Sequence, residues 1–265
     1  MSALSLDGEV VDAVPAEFAL CPYGVFTTFV AVDGGVLAWG DHVARLARDA
    51  RLLWGHELDV ARLRVVVAAH LARLPEPATV RVTLYPADLP LAAPARAHGC
   101  RILVASRATR FPFVPEPGLA VGTVEHERES AETKSTALLT PLRLRREAQL
   151  AGYDDVLFRR GGDVLEGATW AVLVWRDGEV ATPADGVLHS ITADRLGRVA
   201  DEMGWVFRRR RVALAELRRA ELVLAVNANA PARAVRSVDG EPLTTDADLL
   251  AALAAAYSAL PRDEV

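Results

Sequence analysis

The alternation of hydrophobic and polar positions predicts that the first 107 residues form a sheet covered by two helices. Two short segments, Ala3–Leu6 and Glu9–Val11, flank an Asp-Gly pair, which is typical of a β-hairpin. Apolar residues then recur at helical spacing after Asp41 and again from Asp59 to Leu74, so each aspartate is predicted to cap a helix. Further strands are predicted at 24–32, 36–39, 80–85 and 101–106. This order indicates a two-layer α+β unit.

A second β-rich region follows a proline-rich segment. Residues 108–118 contain three prolines and end in glycine, a composition that favours an extended connection between domains. Beyond it, the pattern predicts strands at 119–125, 155–159, 170–175, 179–181, 205–211, 222–226 and 234–238, with helices near 136–151, 192–203 and 245–259. We therefore expect a small domain over 1–107, a linker over 108–118 and a larger domain over 119–265. Neither a G-x-G-x-x-G turn after a strand nor a Walker loop is present, which argues against nucleotide-binding folds.

The charge of the chain argues against nucleic acid as its main partner. The formal net charge is −5, whereas binding to phosphate backbones needs a basic face. Four consecutive arginines, Arg208 to Arg211, are interpreted as a solvated strand edge. No signal-peptide pattern and no apolar run of about 18 residues is visible, so we expect no membrane segment and a cytoplasmic location.

Cysteine and histidine positions do not suggest a metal site. Cys21 and Cys100 are far apart in the chain and are expected to be small buried or half-buried residues rather than a disulfide or zinc ligands. Five of the six histidines have no ligand spacing and are expected to be surface or capping residues; they are His56, His70, His98, His126 and His189.

Lysine usage singles out one position. Of the 30 basic residues, only Lys134 is a lysine. A lysine amine can lose its proton and form a Schiff base with a carbonyl, whereas a guanidinium cannot, so this position is a candidate nucleophile. The alternative is that a GC-rich genome depleted lysine and left one by chance.

An amine between a strand and a helix suggests pyridoxal phosphate (PLP), which also needs an acid at its ring nitrogen and donors for its phosphate. Glu166 follows a short predicted strand and is a candidate acid, with an ordinary turn residue as the alternative. Arg45 is a candidate phosphate ligand, with a solvated helical stripe as the alternative. The segment Ser190 to Thr192 enters a predicted helix, whose N–H groups favour phosphate.

Seven segments in this order resemble the class IV, or fold type IV, PLP-dependent enzymes. This family includes branched-chain and D-amino-acid aminotransferases and 4-amino-4-deoxychorismate lyases. The segments span nearly the whole chain and are Tyr23-Gly24-Val25-Phe26-Thr27-Thr28, His42-x-x-Arg45-Leu46, Thr133-Lys134-Ser135-Thr136, Arg146-Glu147-Ala148 with Gly152-Tyr153-Asp154-Asp155, Leu165-Glu166-Gly167-Ala168-Thr169, Ile191-Thr192, and Asn227-Ala228 followed by Val235.

The resemblance implies a role for each candidate residue. Lys134 would form the internal aldimine with PLP and move the α-proton, and Glu166 would keep the pyridine nitrogen protonated. The cofactor phosphate would be bound by Arg45, Ile191, Thr192, Asn227 and Ala228. The substrate would contact Phe26, Thr28, Tyr85 and Ala168. The implied fold is a small α+β domain and a larger pseudo-barrel domain, and the implied assembly is a homodimer that takes an amino substrate and a keto-acid acceptor.

Departures from the family pattern leave the reaction open. Ser190 and Ala193 stand where the family usually has the glycine and arginine of G-I-T-R, and Pro86-Ala87 replaces an Arg-Gly pair that often binds a substrate carboxylate. The pair Trp170-Ala171 replaces a common Ser-Asn. We expect an aminotransferase acting on a small or specialised amino substrate. The alternatives are a 4-amino-4-deoxychorismate lyase, to which Phe26-Thr27-Thr28 is similar, and a non-catalytic PLP-binding homologue.

Overall fold

The computed structural model describes residues 3–74 and 76–265. The strands are β1 Ala3–Leu6, β2 Glu9–Val10, β3 Val25–Val32, β4 Gly35–Val36, β5 Ala78–Tyr85, β6 Arg101–Ala108, β7 Glu116–Glu125, β8 Asp155–Arg160, β9 Asp163–Gly167, β10 Ala171–Arg176, β11 Glu179–Pro183, β12 Val206–Arg210, β13 Leu222–Val226, β14 Arg233–Val238, β15 Glu241–Pro242 and β16 Asp263–Glu264. The helices are α1 Ala16–Leu20, α2 Trp39–Trp54, α3 Val60–Leu71, α4 Leu139–Leu150, α5 Ile191–Glu202, α6 Leu214–Leu217 and α7 Ala247–Ala259.

Two compact units share the chain. Unit 1 consists of Met1–Phe111, Thr133–Ala137 and Pro261–Val265, and unit 2 consists of Pro112–Glu132 and Leu138–Leu260. The units therefore differ from a simple division at a linker, because a short internal segment and the C-terminal segment belong to unit 1. The domain boundaries expected from the sequence stay a prediction.

Unit 1 is built on an antiparallel sheet with the strand order β16-β4-β3-β5-β6-β1-β2. In the central strand β3, Val25 and Phe29 are almost fully buried and pack in one cluster with Leu46 of α2. Side chains alternate across a strand, so Phe26 and Thr28 lie on the opposite face of the sheet from this cluster. The helices thus cover one face and leave the other to the candidate site residues of β3 and β5.

Unit 2 is built on a longer mixed sheet with the order β12-β11-β10-β13-β14-β7-β8-β9, with β15 paired to β14. Strand β7 is parallel to both of its neighbours, whereas β8 and β9 form an antiparallel hairpin. Strand β9 also approaches β10 and β11, and the sheet curls into a half-barrel. Together the two sheets confirm the predicted α+β class.

The start of α2 corrects one prediction. The segment 36–39 was predicted as a strand and Asp41 as the helix cap, but β4 ends at Val36 and the helix begins at Trp39. Ala38 precedes it in a left-handed conformation (φ 58°), and the Trp39 N–H donates to Asp263 Oδ2 across 2.8 Å. The cap comes from a residue more than 200 positions away, so local sequence does not reveal it.

His70 corrects a second prediction. It was expected to be a surface or capping residue, but it is buried in unit 1 between two serine hydroxyls. Its Nδ1 lies 2.7 Å from Ser5 Oγ and its Nε2 lies 2.9 Å from Ser106 Oγ. Both imidazole nitrogens are therefore satisfied inside the core, which removes the cost of burying them.

The run of four arginines lies where a strand edge was predicted. Strand β12 is the last strand of the unit 2 sheet, and three of the four arginines pair with carboxylates. Arg209 pairs with Asp194, Arg210 with Glu179 and Glu216, and Arg211 with Asp163. These ion pairs reduce the positive charge that the run presents. Among the described residues, no helix combines the length and apolar character needed to cross a bilayer.

Candidate active site

The main chain around Lys134 is fixed against the beginning of β3 within unit 1. The N–H of Phe26 donates to the carbonyl oxygen of Lys134 across 2.9 Å, and the N–H of Thr136 donates to that of Gly24 at the same distance. The segment therefore adds to the sheet as a short pairing partner. A lysine on such a segment is presented from a rigid support.

The amine of Lys134 lies beside an aromatic face. The side chain is half-buried, and its Nζ is 4.8 Å from the centroid of the Phe26 ring. An ammonium is attracted by the negative face of an aromatic ring. The contact joins two candidate residues, a nucleophile and a substrate ligand, within one unit.

A buried carboxylate that no sequence motif marks holds the backbone of Lys134. Asp49 of α2 is fully buried, and its Oδ2 accepts a hydrogen bond of 2.9 Å from the Lys134 N–H. Its Oδ1 accepts bonds of 2.8 and 2.6 Å from the guanidinium of Arg48. A buried ionised carboxylate needs such partners, and here one of them is the candidate catalytic segment.

Arg45 lies one helical turn before this carboxylate. Residues four apart share one side of a helix, so Arg45 and Asp49 lie on the same side of α2. The Arg45 side chain is half-buried rather than fully solvated. The same helix is attached to β3 through His42, whose Nδ1 is 2.6 Å from Thr27 Oγ1. The phosphate role of Arg45 stays a prediction.

Two further substrate candidates lie on the sheet of unit 1. Thr28 of β3 is half-buried, while Tyr85 ends β5 and is buried. The Tyr85 ring contacts that of Phe18 in a tilted arrangement with the centroids 4.8 Å apart, and its hydroxyl lies 3.4 Å from Glu17 Oε1. Burial, assisted by the charge of Glu17, raises the pKa of Tyr85 to about 12. The phenol therefore stays protonated at physiological pH.

In unit 2, Glu166 is buried and held at both oxygens. It lies within β9 rather than in a turn after a strand. Its Oε1 accepts a bond of 2.7 Å from Arg128 Nε, and its Oε2 accepts one of 3.2 Å from the Leu188 N–H. Arg128 also donates to the carbonyl oxygen of Ala131. The turn interpretation is thus replaced by a fixed carboxylate inside a strand, paired to an arginine that the sequence analysis did not single out.

The glycine after Glu166 is required by a tryptophan. A Cβ atom on Gly167 would lie 1.9 Å from a ring carbon of Trp170, so only glycine fits there. The Trp170 Nε1–H donates to Asp155 Oδ2 across 3.0 Å. The departure at Trp170 therefore packs against the residue that follows the candidate acid. Ala168 is buried in an apolar cluster that also contains Phe158.

The N-terminus of α5 has the character of an anion site. Ser190 caps the helix, with its Oγ accepting a bond of 3.2 Å from the Ala193 N–H. Ile191 and Thr192 are the first helical residues, whose N–H groups have no intrahelical acceptor. Helix N-termini favour phosphate through these N–H groups and the helix dipole. The serine that replaces the family glycine therefore organises this end of the helix.

A tight loop brings Asn227 to the segment that follows Glu166. Its Oδ1 accepts bonds of 2.9 and 3.1 Å from the N–H groups of Asn229 and Ala230, and its Nδ2 lies 3.4 Å from the carbonyl oxygen of Thr169. Ala228 lies in the same loop and is half-buried. Unit 2 thus joins the segments at 166–169, 188–192 and 227–230.

Comparison with known proteins assigns the chain to a family. The profile of the amino-transferase class IV family matches residues 24–238. The chain belongs to this family. The predicted relationship and the predicted enzyme class, a PLP-dependent enzyme, are confirmed. No curated protein matches the chain closely enough to count as a relative.

Solved structures of aminotransferases share the fold along nearly the whole chain. A fold IV-transaminase from Curtobacterium pusillum has a TM-score of 0.83 and 25% identity, covering 98% of this chain and 100% of its own. A hypothetical aminotransferase from Mycobacterium tuberculosis in its PLP-bound form has a TM-score of 0.80 and 22% identity, covering 97% and 99%. A branched-chain aminotransferase from Thermoproteus uzoniensis with norvaline has a TM-score of 0.82 and 21% identity, covering 96% and 93%.

The described residues suit the chemistry of PLP in each unit separately. Unit 1 offers an amine on a rigid segment, and unit 2 offers a buried carboxylate held by Arg128 and a helix N-terminus with unused donors. Among residues 3–74 and 76–265, no cluster of three or more His, Cys, Asp or Glu side chains could hold a metal ion.

Proposed function

We propose that this protein is an aminotransferase that moves an amino group from a small or specialised amino substrate to a keto-acid acceptor. Lys134 holds the aldehyde of PLP and transfers the α-proton, and Glu166 holds the pyridine nitrogen in its protonated form. PLP, when bound, withdraws electrons from the bonds to the substrate α-carbon. The observation that carries the proposal is the lone lysine of the chain, fixed by Asp49 and set against Phe26.

We propose that five residues of the chain bind the phosphate of PLP. Arg45 supplies a guanidinium, which forms charge-assisted bonds to phosphate oxygens. The N–H groups of Ile191 and Thr192 and the loop of Asn227 and Ala228 supply the remaining donors. Support comes from the cap at Ser190, which fixes the first turn of α5, and from the internal bonds of Asn227, which fix its loop.

For the substrate we propose contacts with Phe26, Thr28, Tyr85 and Ala168. Support for Phe26 comes from its ring contact with the Lys134 amine. Thr28 shares the sheet face of Phe26, two residues along β3. Tyr85 offers a protonated hydroxyl.

A second candidate activity is that of a 4-amino-4-deoxychorismate lyase, which expels pyruvate and leaves p-aminobenzoate. The observation that favours it is Thr27, which is buried and bonded to His42 where aminotransferases more often have glutamate. Against it stands Pro86-Ala87, which lacks an arginine for a doubly anionic substrate. The same lysine and glutamate serve both reactions, so the residues of the site do not separate them.

Product analysis of the PLP-loaded protein tests these assignments. Incubation with amino donors should yield keto acid together with the amine form of the cofactor, whereas incubation with 4-amino-4-deoxychorismate should yield no p-aminobenzoate. Pyruvate and p-aminobenzoate in equal amounts would instead establish the lyase. A protein that binds PLP and forms neither set of products would be a non-catalytic homologue.

The homodimer and the cytoplasmic location are also proposals. The homodimer is proposed because members of the family usually assemble as homodimers, in which the partner subunit contributes to the substrate pocket. Light scattering of the PLP-loaded protein, at several concentrations, should give twice the mass of the chain. A mass equal to one chain at every concentration would remove this part of the proposal.

A further inference from the structure

Two side chains of unit 2, an arginine and a tryptophan, meet at one buried carboxylate. The carboxylate of Asp155, at the start of β8, is buried and has four polar contacts. Its Oδ1 accepts bonds of 2.9 Å from Arg145 Nε and 2.7 Å from the Val156 N–H. Its Oδ2 lies 2.8 Å from Arg145 Nη2 and accepts a bond of 3.0 Å from Trp170 Nε1. The bidentate arginine and the indole N–H together compensate the burial of the charge. We call Arg145, Asp155 and Trp170 the Asp155 cluster.

The Asp155 cluster fixes the turn between β9 and β10. The Trp170 ring packs against Gly167, where a Cβ atom would lie 1.9 Å from a ring carbon. The Gly167 N–H also donates to the Trp170 carbonyl oxygen across 2.9 Å. In the middle of the turn, Thr169 Oγ1 accepts a bond of 2.7 Å from Arg145 Nη2. The turn is therefore attached to the cluster at its beginning, middle and end.

The same turn lies beside the loop of Asn227. Ala171, the first residue of β10, pairs in register with Val226, the last residue of β13, so the turn and the loop meet at one end of the sheet. Asn227 Nδ2 lies 3.4 Å from the Thr169 carbonyl oxygen. Trp170 belongs to the hydrophobic cluster that also contains residues of β13 and β14. A shift of the turn would therefore displace the loop that is proposed to bind the cofactor phosphate.

The candidate acid has supports of its own. Glu166 accepts bonds from Arg128 and from the Leu188 N–H, and neither bond involves the Asp155 cluster. We therefore expect changes in the cluster to leave the carboxylate of Glu166 in place and to act on the phosphate of the cofactor. This separation distinguishes a positioning role from a general loss of the fold.

We propose that the Asp155 cluster positions the cofactor phosphate: it holds the turn and, through the turn, the Asn227 loop in the arrangement that binds this phosphate. The inference rests on the proposed function and deepens it, because it gives a role to the tryptophan that stands where the family commonly has serine. A buried indole N–H needs an acceptor, and the ion pair of Asp155 supplies a fixed one. The three residues act through the loop rather than on the reacting atoms.

Two forms of the cofactor separate the phosphate from the rest of the site. The protein is titrated with PLP and with pyridoxal, which carries the same aldehyde and lacks the phosphate, and the absorbance of the bound cofactor gives both affinities. Trp170→Phe keeps an aromatic ring and removes the N–H, so the affinity for PLP should fall roughly 3- to 10-fold, the effect of one lost hydrogen bond. The affinity for pyridoxal should stay within about twofold of the wild-type value, since no phosphate has to be bound.

Trp175→Phe is the matched control. Trp175 of β10 is fully buried, and its Nε1 has no hydrogen-bond partner among the residues that the structure describes. The same substitution there removes equal volume from unit 2 without breaking a hydrogen bond, so stability should fall while both cofactor affinities stay unchanged. A fall in PLP affinity as large as that of Trp170→Phe would overturn the proposal, because the loss of core volume would then explain the effect.

Replacing Arg145 tests the charged half of the cluster. Arg145→Met removes the contacts to Asp155 and Thr169, so the affinity for PLP should fall on the order of 10-fold or more. Arg145→Lys keeps the charge without the planar fork and should recover part of this loss. Arg143→Met, which breaks an exposed ion pair on the same helix, should bind PLP as the wild-type protein does. A folded Arg145→Met protein with wild-type affinity for PLP would contradict the proposal; if this variant does not fold, Trp170→Phe decides.

The inference and the proposed function fail separately. If the wild-type protein binds PLP but transfers no amino group from any donor, while Trp170→Phe binds PLP more weakly, the positioning role stands and the aminotransferase assignment falls. If the protein transfers amino groups and Trp170→Phe loses affinity for PLP and pyridoxal equally, or for neither, the positioning role falls and the aminotransferase stands. A wild-type protein that binds no PLP would overturn both.

Discussion

The carboxylate of Asp49 accepts a hydrogen bond from the backbone N–H of Lys134, 85 positions further along the chain. This bond attaches the candidate Schiff-base segment to α2, the helix that also carries Arg45. The amine and the proposed phosphate ligand therefore have a common support inside unit 1.

Replacing Asp49 should loosen the segment of Lys134. Asp49→Ala removes the acceptor of the part-buried Lys134 N–H and one carboxylate partner of Arg48, so we expect a loss of about 1–3 kcal/mol in the free energy of unfolding. Asp49→Asn keeps one acceptor oxygen and should cost less. Chemical denaturation, with Asp41→Ala on the exposed side of the same helix as control, measures both. A denaturation midpoint for Asp49→Ala equal to that of the wild-type protein would show that this hydrogen bond does not stabilise the fold.

Replacing Glu166 should slow chemistry more than it weakens PLP binding. Glu166→Gln keeps the shape of the side chain but cannot hold the pyridine nitrogen protonated, so we expect α-proton removal to slow by roughly 10²-fold or more. Stopped-flow absorbance of the half-reaction reports this rate, and a cofactor titration reports the affinity. Half-reaction rates equal to those of the wild-type protein would exclude Glu166 from the site.

Replacing Arg45 should lower the affinity for PLP more than it lowers the stability of the fold. Arg45→Ala removes a charge-assisted phosphate contact, which corresponds to roughly a 10- to 100-fold loss of PLP affinity. Arg64→Ala, on the exposed side of α3, is the matched control. If the PLP titration curves of Arg45→Ala and of the control coincide, Arg45 does not bind the phosphate and is part of the solvated helical stripe.

Acid should destabilise the protein through His70. Burial lowers the pKa of His70, and nearby Arg73 adds to the effect. The unfolded chain therefore binds the proton more readily, so stability should be level above the ordinary imidazole pKa of about 6.5 and fall as the pH drops below it. The midpoint of denaturation of His70→Gln should depend less on pH between 7 and 5 than that of the wild-type protein. An equal pH dependence in His70→Gln and the wild-type protein would contradict this prediction.

Local patterns predicted most of the strands because their β-branched and apolar residues fall in short runs bounded by turn residues. The apolar positions of β3 and β13 fall in short runs that fold as strands, and Asp59 caps α3 through the Arg62 N–H as its position suggested. In contrast, α1 buries none of its side chains, so no apolar periodicity marks it.

The candidate chemistry was visible in the sequence, whereas its supports were not. Lys134 and Glu166 stand out through lysine usage and motif order, which are properties of the chain itself. Asp49 and Arg128 are ordinary charged residues until folding brings them to Lys134 and Glu166. Long-range contacts of this kind depend on tertiary packing, and the spacing of residues does not encode them.

The central claim is that Lys134 holds PLP, and reduction of the purified protein tests it most directly. An absorbance spectrum is recorded before and after borohydride, and the reduced protein is digested and its peptides are mapped. A yellow protein that bleaches on reduction and carries a pyridoxyl group on Lys134 is the predicted result, and Lys134→Ala should have neither the colour nor the label. A colourless protein that stays unlabelled after addition of PLP would contradict the claim.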